Sequence, residues 1–159
     1  MHRNPLHKTV ARQVADAAKK IKMKKILILC TANSCRSQMA EGYFRKFAGD
    51  KAEIYSAGVY STGVNSKAIA SMLEDGIDIS KHTSNAMEEY KDIDFDYVIT
   101  VCDNARENCP FWPGNSIHIH HAFPDPTHVI GSEAAVKANF AVTRNMIKEY
   151  AQQFVADHL

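Results

Sequence analysis

The sequence lacks the features that mark membrane, fibrous and disordered proteins. No hydrophobic run approaches the roughly 20 residues that a membrane-spanning helix requires. The first ten residues, MHRNPLHKTV, contain no apolar core of a secretory signal, so we expect none. Glycine and proline number only seven and five, which excludes collagen-like and low-complexity chains. Hydrophobic residues make up 45% and charged residues 23% of the 159 positions, which is typical of one globular domain with its own core.

Positive charge is concentrated at the N-terminus. Residues 1–25 hold eight of the 19 Lys and Arg residues but one of the 18 Asp and Glu residues, so the rest of the chain is acidic. An acidic body argues against a nucleic-acid-binding face. Apolar residues at helical spacing predict a basic helix within residues 1–24, an appendage to a domain at 25–159. The sequence leaves three roles open for it: a solvated helix, a transit segment or a membrane-surface helix.

Strand-like and helix-like segments alternate along the body of the chain. Apolar runs and period-two alternation predict strands at 25–30, 53–57, 95–102 and 116–120. Apolar residues at helical spacing predict helices at 37–48, 66–75 and 132–155. This order predicts a single α/β domain with three layers, α/β/α, whose helices flank a central, mostly parallel, four-stranded sheet. Sites in such sheets lie at the carboxyl ends of strands, where Cys30 and Cys102 are placed.

The segment Cys30–Ser37, CTANSCRS, joins the first predicted strand to the first helix. With five residues between Cys30 and Arg36, such a loop can turn successive backbone N–H groups inward around a tetrahedral oxyanion. The helix adds its positive N-terminal end, and Arg36 can bind two anion oxygens. The same surroundings lower a thiol pKa from about 8.5 to roughly 3.5–7.5. We therefore predict that Cys30 is an activated nucleophile, with Ser37 donating a further hydrogen bond to its sulfur.

Two alternatives compete with this interpretation of the cysteines. Cys30 and Cys35 could be buried structural thiols and Arg36 a surface charge, but the preceding strand and following helix favour the functional interpretation. Zinc is disfavoured, because the cysteine spacings are not the short pairs typical of structural zinc sites. His118, His120 and His121 form a small cluster, but alternation places His118 and His120 on one strand face, where a solvated or core role is favoured over metal binding. Four cysteines without a secretory signal instead favour a reducing compartment, so we expect a cytoplasmic location.

Longer stretches of the chain resemble one known superfamily. CTANSCRSQMAEGYFR resembles the phosphate-binding loop and first helix of the low-molecular-weight protein tyrosine phosphatases, and more narrowly of the thioredoxin-coupled arsenate reductases. YSAGVYSTGVNSKAI, GIDISKHTS, VITVCDNARENCP and FPDP match in the same order, within residues 25–155. The resemblance implies the fold of these phosphatases, reduction of arsenate to arsenite, and thioredoxin as electron donor. It places the oxyanion against Arg36 and the loop residues Thr31, Ala32, Asn33, Ser34 and Cys35.

Ala32 and Asn33 affect the backbone conformation that this loop can adopt. Ala32 stands where the family usually has glycine, which costs about 1 kcal/mol if that position needs a positive φ and little otherwise. Asn33 tolerates left-handed backbone angles, and we expect its side chain to brace the loop by hydrogen bonds.

Cys102 and Cys109 lie seven positions apart in VCDNARENCP. If this segment is helical, they are about 10 Å apart along its axis, beyond the roughly 7 Å between Cα atoms that a disulfide allows. A disulfide between them would therefore require the segment to unwind. The resemblance implies a relay in which Cys102 attacks the arsenic adduct on Cys30 and Cys109 then attacks Cys102. The alternative is a pair of structural thiols beside a strand.

Asp125 lies between two prolines in the segment FPDP. The resemblance implies that it is the general acid, which protonates the oxygen that leaves arsenate. A carboxyl group beside a bound oxyanion is pushed toward its protonated form, which suits that role. An Asp before proline is otherwise common as a turn residue.

Some members of the resembled family bind a potassium ion beside the loop. The matching positions here are Asn33, Glu41 and Ser56, while a fourth position, Asp in those members, is Asn85. Loss of that carboxylate removes one anionic ligand, so the sequence leaves potassium open as a cofactor. His82 either joins the same group of side chains or is a turn residue.

Two other functions compete with arsenate reduction. A phosphatase needs only Cys30, Arg36 and Asp125, and it usually carries an aromatic residue after Asp-Pro, where this chain has Thr127. The second pair of cysteines favours the reductase, with weak phosphatase side activity. A redox sensor or oxyanion-binding protein would need no general acid. We expect a monomer that binds arsenate and thioredoxin, and neither nucleic acid nor a membrane.

Overall fold

The computed structural model describes residues 9–15, 23–103 and 108–159. Its elements are β1 Lys24–Cys30, α1 Arg36–Ala48, β2 Ala52–Gly58, α2 Ser66–Glu74, β3 Tyr97–Thr100, β4 Ile117–His120 and α3 Glu133–His158. Short 3-10 helices lie at Gly49–Lys51, Met87–Tyr90 and Pro126–His128. Each of the seven elements predicted for the domain at 25–159 is thus present and of the predicted type. Among the described residues, no helix is both long and apolar enough to cross a membrane.

The four strands form one sheet in the order β2-β1-β3-β4, and every neighbouring pair is parallel. β1 is a central strand, and its residues from Ile26 to Cys30 are buried, as expected of a parallel strand that is covered on both faces. The register pairs Cys30 with Gly58 on β2 and Leu29 with Thr100 on β3. Cys30 therefore ends its strand at the same edge of the sheet as Cys102, which follows β3.

β3 is shorter than the predicted strand 95–102. Its ladder ends at Thr100, although the backbone N–H of Val101 still donates to the carbonyl of Leu29 at 2.9 Å. Cys102 then leaves the ladder and is bonded to Cys109. At the other end, the backbone N–H of Lys25 donates to the Asp96 carboxylate at 2.8 Å, so a side chain replaces the backbone acceptor there.

The predicted three-layer α/β fold is confirmed, with two unequal outer layers. The main core packs β1 and β3 against α1, α2 and α3, through Ile26, Ile28, Phe44, Met72 and Phe154 among others. A smaller cluster covers the other face: Leu27, Leu29, Ala57, Phe95, Val98 and Trp112, with Met87 and Tyr90 of a 3-10 helix against it. The second outer layer is thus a 3-10 helix and irregular chain, where we expected longer helices.

The N-terminal segment is described only at residues 9–15, which are helical and exposed. The rest of the predicted appendage, apart from residues 23 and 24, lies outside the described residues. β1 begins at Lys24, one residue before the predicted domain boundary. The role of this basic segment stays a prediction with its alternatives.

Candidate active site

A cleft of about 960 Å³ opens at the carboxyl edge of the sheet. One wall is the loop between β1 and α1, and the other is the segment that carries Asp125. The loop residues that line it are Cys30, Thr31, Ala32, Ser34, Cys35 and Arg36. The structure therefore brings the predicted nucleophile, oxyanion loop and general acid to one cavity, at the edge where parallel sheets bind ligands.

The loop turns its carbonyl oxygens outward, toward the chain around it. Thr31 O accepts from Val59 N at 2.8 Å, Ala32 O from Thr62 N at 3.3 Å and Ser34 O from Asn65 N at 2.9 Å. In a planar trans peptide the N–H points opposite to the preceding carbonyl. The N–H groups that follow these carbonyls are therefore directed away from those partners, toward the inner side of the loop. A curved row of N–H groups ahead of a helix N-terminus is suited to bind an oxyanion.

Asn33 holds the loop in this shape. It is the one described non-glycine residue with a positive φ, 50°, and it is fully buried. Its Oδ1 accepts from the backbone N–H of Asn85 at 2.8 Å and from Gln38 Nε2 at 3.1 Å. Its Nδ2 donates to Ser37 Oγ and Ser56 Oγ, each at 2.9 Å. Because the positive φ falls on Asn33, Ala32 needs no glycine-like conformation, and the departure at position 32 carries no such backbone cost.

The hydrogen bonds around Asn33 have a defined direction. Ser56 Oγ donates to Glu41 Oε1 at 2.9 Å and so accepts from Asn33. Asn33 also donates to Ser37 Oγ, which occupies an acceptor site of that hydroxyl. The Ser37 hydroxyl hydrogen is thereby left to point elsewhere. Ser37 is buried and is the second residue of α1, directly after Arg36. Its hydroxyl hydrogen is therefore available for the hydrogen bond to the Cys30 sulfur, which stays a prediction.

Arg36 and Asp125 face each other across the cleft. The Arg36 side chain is buried, and its Nη1 donates to the carbonyl oxygen of Phe123 at 3.2 Å. Its Nη2 lies 3.6 Å from Asp125 Oδ2. Asp125 Oδ1 accepts from both the backbone N–H and the hydroxyl of Thr127, at 2.9 and 2.6 Å. Since Oδ1 is occupied by two donors, Oδ2 is the oxygen turned toward the guanidinium and toward any anion beside it. His128 Nε2 lies 3.5 Å from the same Oδ2.

Cys30 and Cys35 are both buried, and neither is in a disulfide. Burial, with the Asp125 charge adding to it, raises the pKa of the Cys35 thiol to about 12. Cys35 therefore stays a thiol at neutral pH and is a poor nucleophile. We therefore assign the Cys35 thiol no obligatory chemical role.

Cys102 and Cys109 form a disulfide, with 5.8 Å between their Cα atoms. The described residues of this segment, 102–103 and 108–110, are not helical. We expect a disulfide here only when the segment is not an intact helix, because seven helical positions would hold the two Cα atoms too far apart. Cys102 is fully buried in the main core together with Cys30, while Cys109 is partly exposed. Asp103, next to Cys102, lines the cleft.

The predicted potassium ligands are in contact with each other and with other side chains. Glu41 Oε2 lies 3.2 Å from Arg45 Nε and 3.0 Å from His82 Nδ1. His82 Nδ1 also lies 3.1 Å from Gln38 Oε1, and because both partners are acceptors this nitrogen carries the hydrogen. Burial lowers the pKa of His82, which keeps its ring neutral near pH 7. His82 is thus part of the same group of side chains. The Asn85 side chain is turned away, accepting from Thr83 Oγ1 at 2.7 Å.

Several supporting residues escaped the sequence analysis. Gln38 Nε2 donates to Asn33 O at 3.1 Å and to Thr83 O at 3.0 Å, and Ser84 Oγ donates to Asn33 O at 2.8 Å. A Cβ at Gly58 would lie 2.6–2.7 Å from backbone atoms of Thr31, Asn33 and Tyr60. Gln38, Arg45, Gly58 and Ser84 all lie inside the stretches that carry the family resemblance, so that resemblance was the available signal.

Comparison with known proteins agrees with this geometry. Residues 25–158 match the family model described as low molecular weight phosphotyrosine protein phosphatase. Arsenate reductase 2 of Staphylococcus haemolyticus is 44% identical over 131 residues, 82% of this chain and 95% of that protein. The arsenate reductase of Halalkalibacterium halodurans is 41% identical over 131 residues, 82% of this chain and 94% of that protein.

A solved structure described as an arsenate reductase in the phosphate binding state is also similar. It superposes with a TM-score of 0.71 at 37% identity, covering 85% of this chain and 98% of that one. Each of these proteins is matched over nearly its full length. The range 25–158 of the family model contains both the oxyanion loop and the disulfide. The chain therefore belongs to the low molecular weight phosphotyrosine protein phosphatase family and, within it, to the arsenate reductases.

Proposed function

We propose that this protein reduces arsenate to arsenite. The observation that carries the proposal is the Cys102–Cys109 disulfide beside a loop built for an oxyanion. An oxyanion site alone serves a phosphatase equally well, because arsenate and phosphate have the same charge and shape. A dithiol that forms a disulfide next to the nucleophile supplies the two electrons that reduction of As(V) to As(III) requires.

The first step uses the loop, Arg36 and Asp125. The Cys30 thiolate attacks the arsenic atom, and an As–O bond breaks as the S–As bond forms. The loop N–H groups and the Arg36 guanidinium hold the negative charge of the remaining oxygens. Asp125 Oδ2 gives its proton to the leaving oxygen, which departs as water after it has received the protons it needs. The position of Oδ2 beside Arg36 suits this transfer, since an anion bound to the guanidinium lies next to it.

The second and third steps exchange thiols. The Cys102 thiolate attacks the Cys30 sulfur, a Cys30–Cys102 disulfide forms, and the electron pair of the S–As bond leaves with arsenic as arsenite. Cys109 then attacks the Cys102 sulfur, which releases Cys30 as a thiolate and leaves a Cys102–Cys109 disulfide. Neighbouring strands end at Cys30 and just before Cys102, and both cysteines lie in one core cluster, which supports a direct exchange. A dithiol protein of the thioredoxin class then reduces the final disulfide and returns the enzyme to its starting state.

Phosphate monoester hydrolysis is a side activity in this proposal. Its first step uses the same three groups, so slow hydrolysis of a small aryl phosphate is expected. The residue after Asp-Pro is Thr127, whose hydroxyl is bonded to Asp125 at 2.6 Å. It offers no ring to pack on a phosphotyrosine, so tyrosine phosphatase activity is the less favoured function. We further propose that the protein acts as a monomer in the cytoplasm, where thioredoxin-class reductants operate.

The test is arsenate-dependent oxidation of NADPH in the presence of thioredoxin and thioredoxin reductase. Wild-type protein is expected to turn over, and Cys30→Ser to lose activity completely. Cys109→Ser is expected to complete one turnover and stop at a Cys30–Cys102 disulfide, which mass spectrometry of the intact and digested protein identifies. Cys35→Ser is the matched control, because its thiol has no assigned chemistry.

Two results would contradict the proposal. Brisk hydrolysis of p-nitrophenyl phosphate without any arsenate-dependent turnover would make the protein a phosphatase. Steady turnover by Cys109→Ser would show that the relay does not use this cysteine.

A further inference from the structure

A buried carboxylate lies behind the oxyanion loop, and a side chain of the same helix neutralises it. Glu41 is 7% exposed, and its Oε1 accepts from Ser56. Arg45, one helical turn further along α1, places Nε 3.2 Å from Glu41 Oε2. Arg45 Nη2 donates to Ile54 O of β2 at 2.9 Å, so the guanidinium is held at two points. His82 donates to the same Oε2 from a third direction.

This arrangement does not fit a potassium ion among the predicted ligands. Ser56 Oγ is in direct hydrogen-bond contact with both Glu41 and Asn33, at 2.9 Å each, which leaves no ion-sized gap between them. Asn33 faces Ser56 with N–H, because its Oδ1 is held by the backbone N–H of Asn85. An N–H donor repels a cation. The oxygen of the Asn85 side chain, at the position of the missing carboxylate, accepts from Thr83 instead.

The neutralised carboxylate acts on the nucleophile through a chain of hydrogen bonds. Glu41 accepts the Ser56 hydroxyl hydrogen, so Ser56 accepts from Asn33. The second N–H of Asn33 is thereby directed to Ser37 Oγ, the hydroxyl that we predict donates to the Cys30 sulfur. Leaving a buried carboxylate without its positive partner is costly and favours its reorientation or protonation. Either change would alter the Glu41 carboxylate, the acceptor that sets the direction of the hydrogen bonds at Ser56, Asn33 and Ser37.

We propose that Arg45 is a positioning residue for the Cys30 loop. It supplies from within the chain the positive charge that neutralises Glu41, and the reactivity of Cys30 therefore does not depend on potassium. Glu41 also lines a second cleft, of about 390 Å³ and separate from the active-site cleft. A cation that enters this second cleft meets Arg45 and Lys81 in its lining. The inference rests on the proposed function only in taking Cys30 as the nucleophile.

The test measures alkylation of Cys30 by iodoacetamide, which needs no arsenate. The protein carries the Cys102–Cys109 disulfide and Cys35→Ser, so that Cys30 is the one remaining thiol. Wild-type rates are compared in KCl and in choline chloride at equal ionic strength. Arg45→Ala is compared with Lys46→Ala, which removes the same charge from an exposed neighbour on α1. Arg45→Lys keeps the charge and serves as the conservative variant.

We expect the wild-type rate to change less than twofold between the two salts. Arg45→Ala should slow alkylation at least fivefold, Arg45→Lys should recover at least half of the wild-type rate, and Lys46→Ala should match wild type. In a Glu41→Gln background, which removes the charge that Arg45 neutralises, Arg45→Ala should cost less than twofold. A wild-type rate that rises more than twofold in KCl would overturn the proposal. So would an Arg45→Ala effect equal to that of Lys46→Ala, or one that persists unchanged with Glu41→Gln.

The alkylation assay tests the role of Arg45, and the arsenate assay tests the proposed reaction, so each can fail without the other. Failure of arsenate turnover with the expected alkylation pattern would reject arsenate reduction and leave the role of Arg45 intact. The reverse outcome would reject the role of Arg45 alone. Circular dichroism on each variant identifies misfolding, and the wild-type response to KCl remains decisive even if Arg45→Ala does not fold.

Discussion

Replacing Asn33 tests how the loop keeps its shape, because backbone and side-chain contributions can be separated there. Asn33 has a φ of 50° and is fully buried. Alanine in the left-handed region destabilises the folded protein by roughly 1–2 kcal/mol, whereas glycine adopts this conformation without that penalty. Both variants also leave the backbone N–H of Asn85 without the acceptor that lies 2.8 Å away in the wild type. A buried donor without a partner costs about 1–3 kcal/mol.

These two contributions give different totals for the two variants. Asn33→Gly should lower the free energy of unfolding by about 1–3 kcal/mol, and Asn33→Ala by about 2–5 kcal/mol. Urea unfolding, followed by far-UV circular dichroism with the disulfide intact in every sample, measures both. In both variants Cys30 alkylation should also slow, because Ser37 loses the donor that directs its hydroxyl.

Two outcomes would refute this reasoning. If the Ala and Gly variants differ by less than about 0.5 kcal/mol, the left-handed backbone is not strained in the way we infer. If both unfold as wild type does, the four side-chain hydrogen bonds of Asn33 contribute nothing net, and the loop is held by other contacts.

Two further predictions concern Cys35 and Gly58. Burial raises the pKa of the Cys35 thiol from an ordinary value of 9.0 to about 12 in the folded protein. Above about pH 9 the unfolded chain therefore loses this proton while the folded protein keeps it, so the free energy of unfolding falls as pH rises, by about 1.4 kcal/mol per pH unit from this group. Cys35→Ser should remove that part of the fall when urea unfolding is measured between about pH 9 and 11, and equal slopes for both proteins would contradict it. A Cβ at Gly58 would lie 2.6–2.7 Å from three backbone atoms, so Gly58→Ala should displace the loop and lower kcat/KM for arsenate more than tenfold. Gly131→Ala, where the nearest atom is 3.5 Å away, is the matched control, and equal activity of the two variants would show that the loop yields without loss.

The sequence and the structure agree most closely where the signal is local. β1 was predicted at 25–30 because five consecutive apolar or cysteine residues follow two lysines, and it lies at Lys24–Cys30. The helix after the loop was placed at 37–48 by helical spacing and lies at Arg36–Ala48. The second outer layer was not predictable in the same way. Met87–Tyr90 is too short for a periodic pattern, and Met87 and Tyr90 are partly buried only because they pack against the cluster that contains Tyr55 and Phe95 on the other face of the sheet.

The sequence alone determined the chemistry of the site: a thiol, an arginine and a helix start within eight residues, and a second pair of cysteines after a buried strand. Such features can be read locally, because short spacing and strand–loop–helix order constrain where the groups lie. Only the tertiary structure decided which partners neutralise and orient them. His82 reaches Glu41 across 41 positions and Asn85 reaches Asn33 across 52, and contacts of that separation arise from the packing of whole elements. The choice between an arginine and a bound cation at Glu41 therefore depends on the fold, although every residue involved is visible in the sequence.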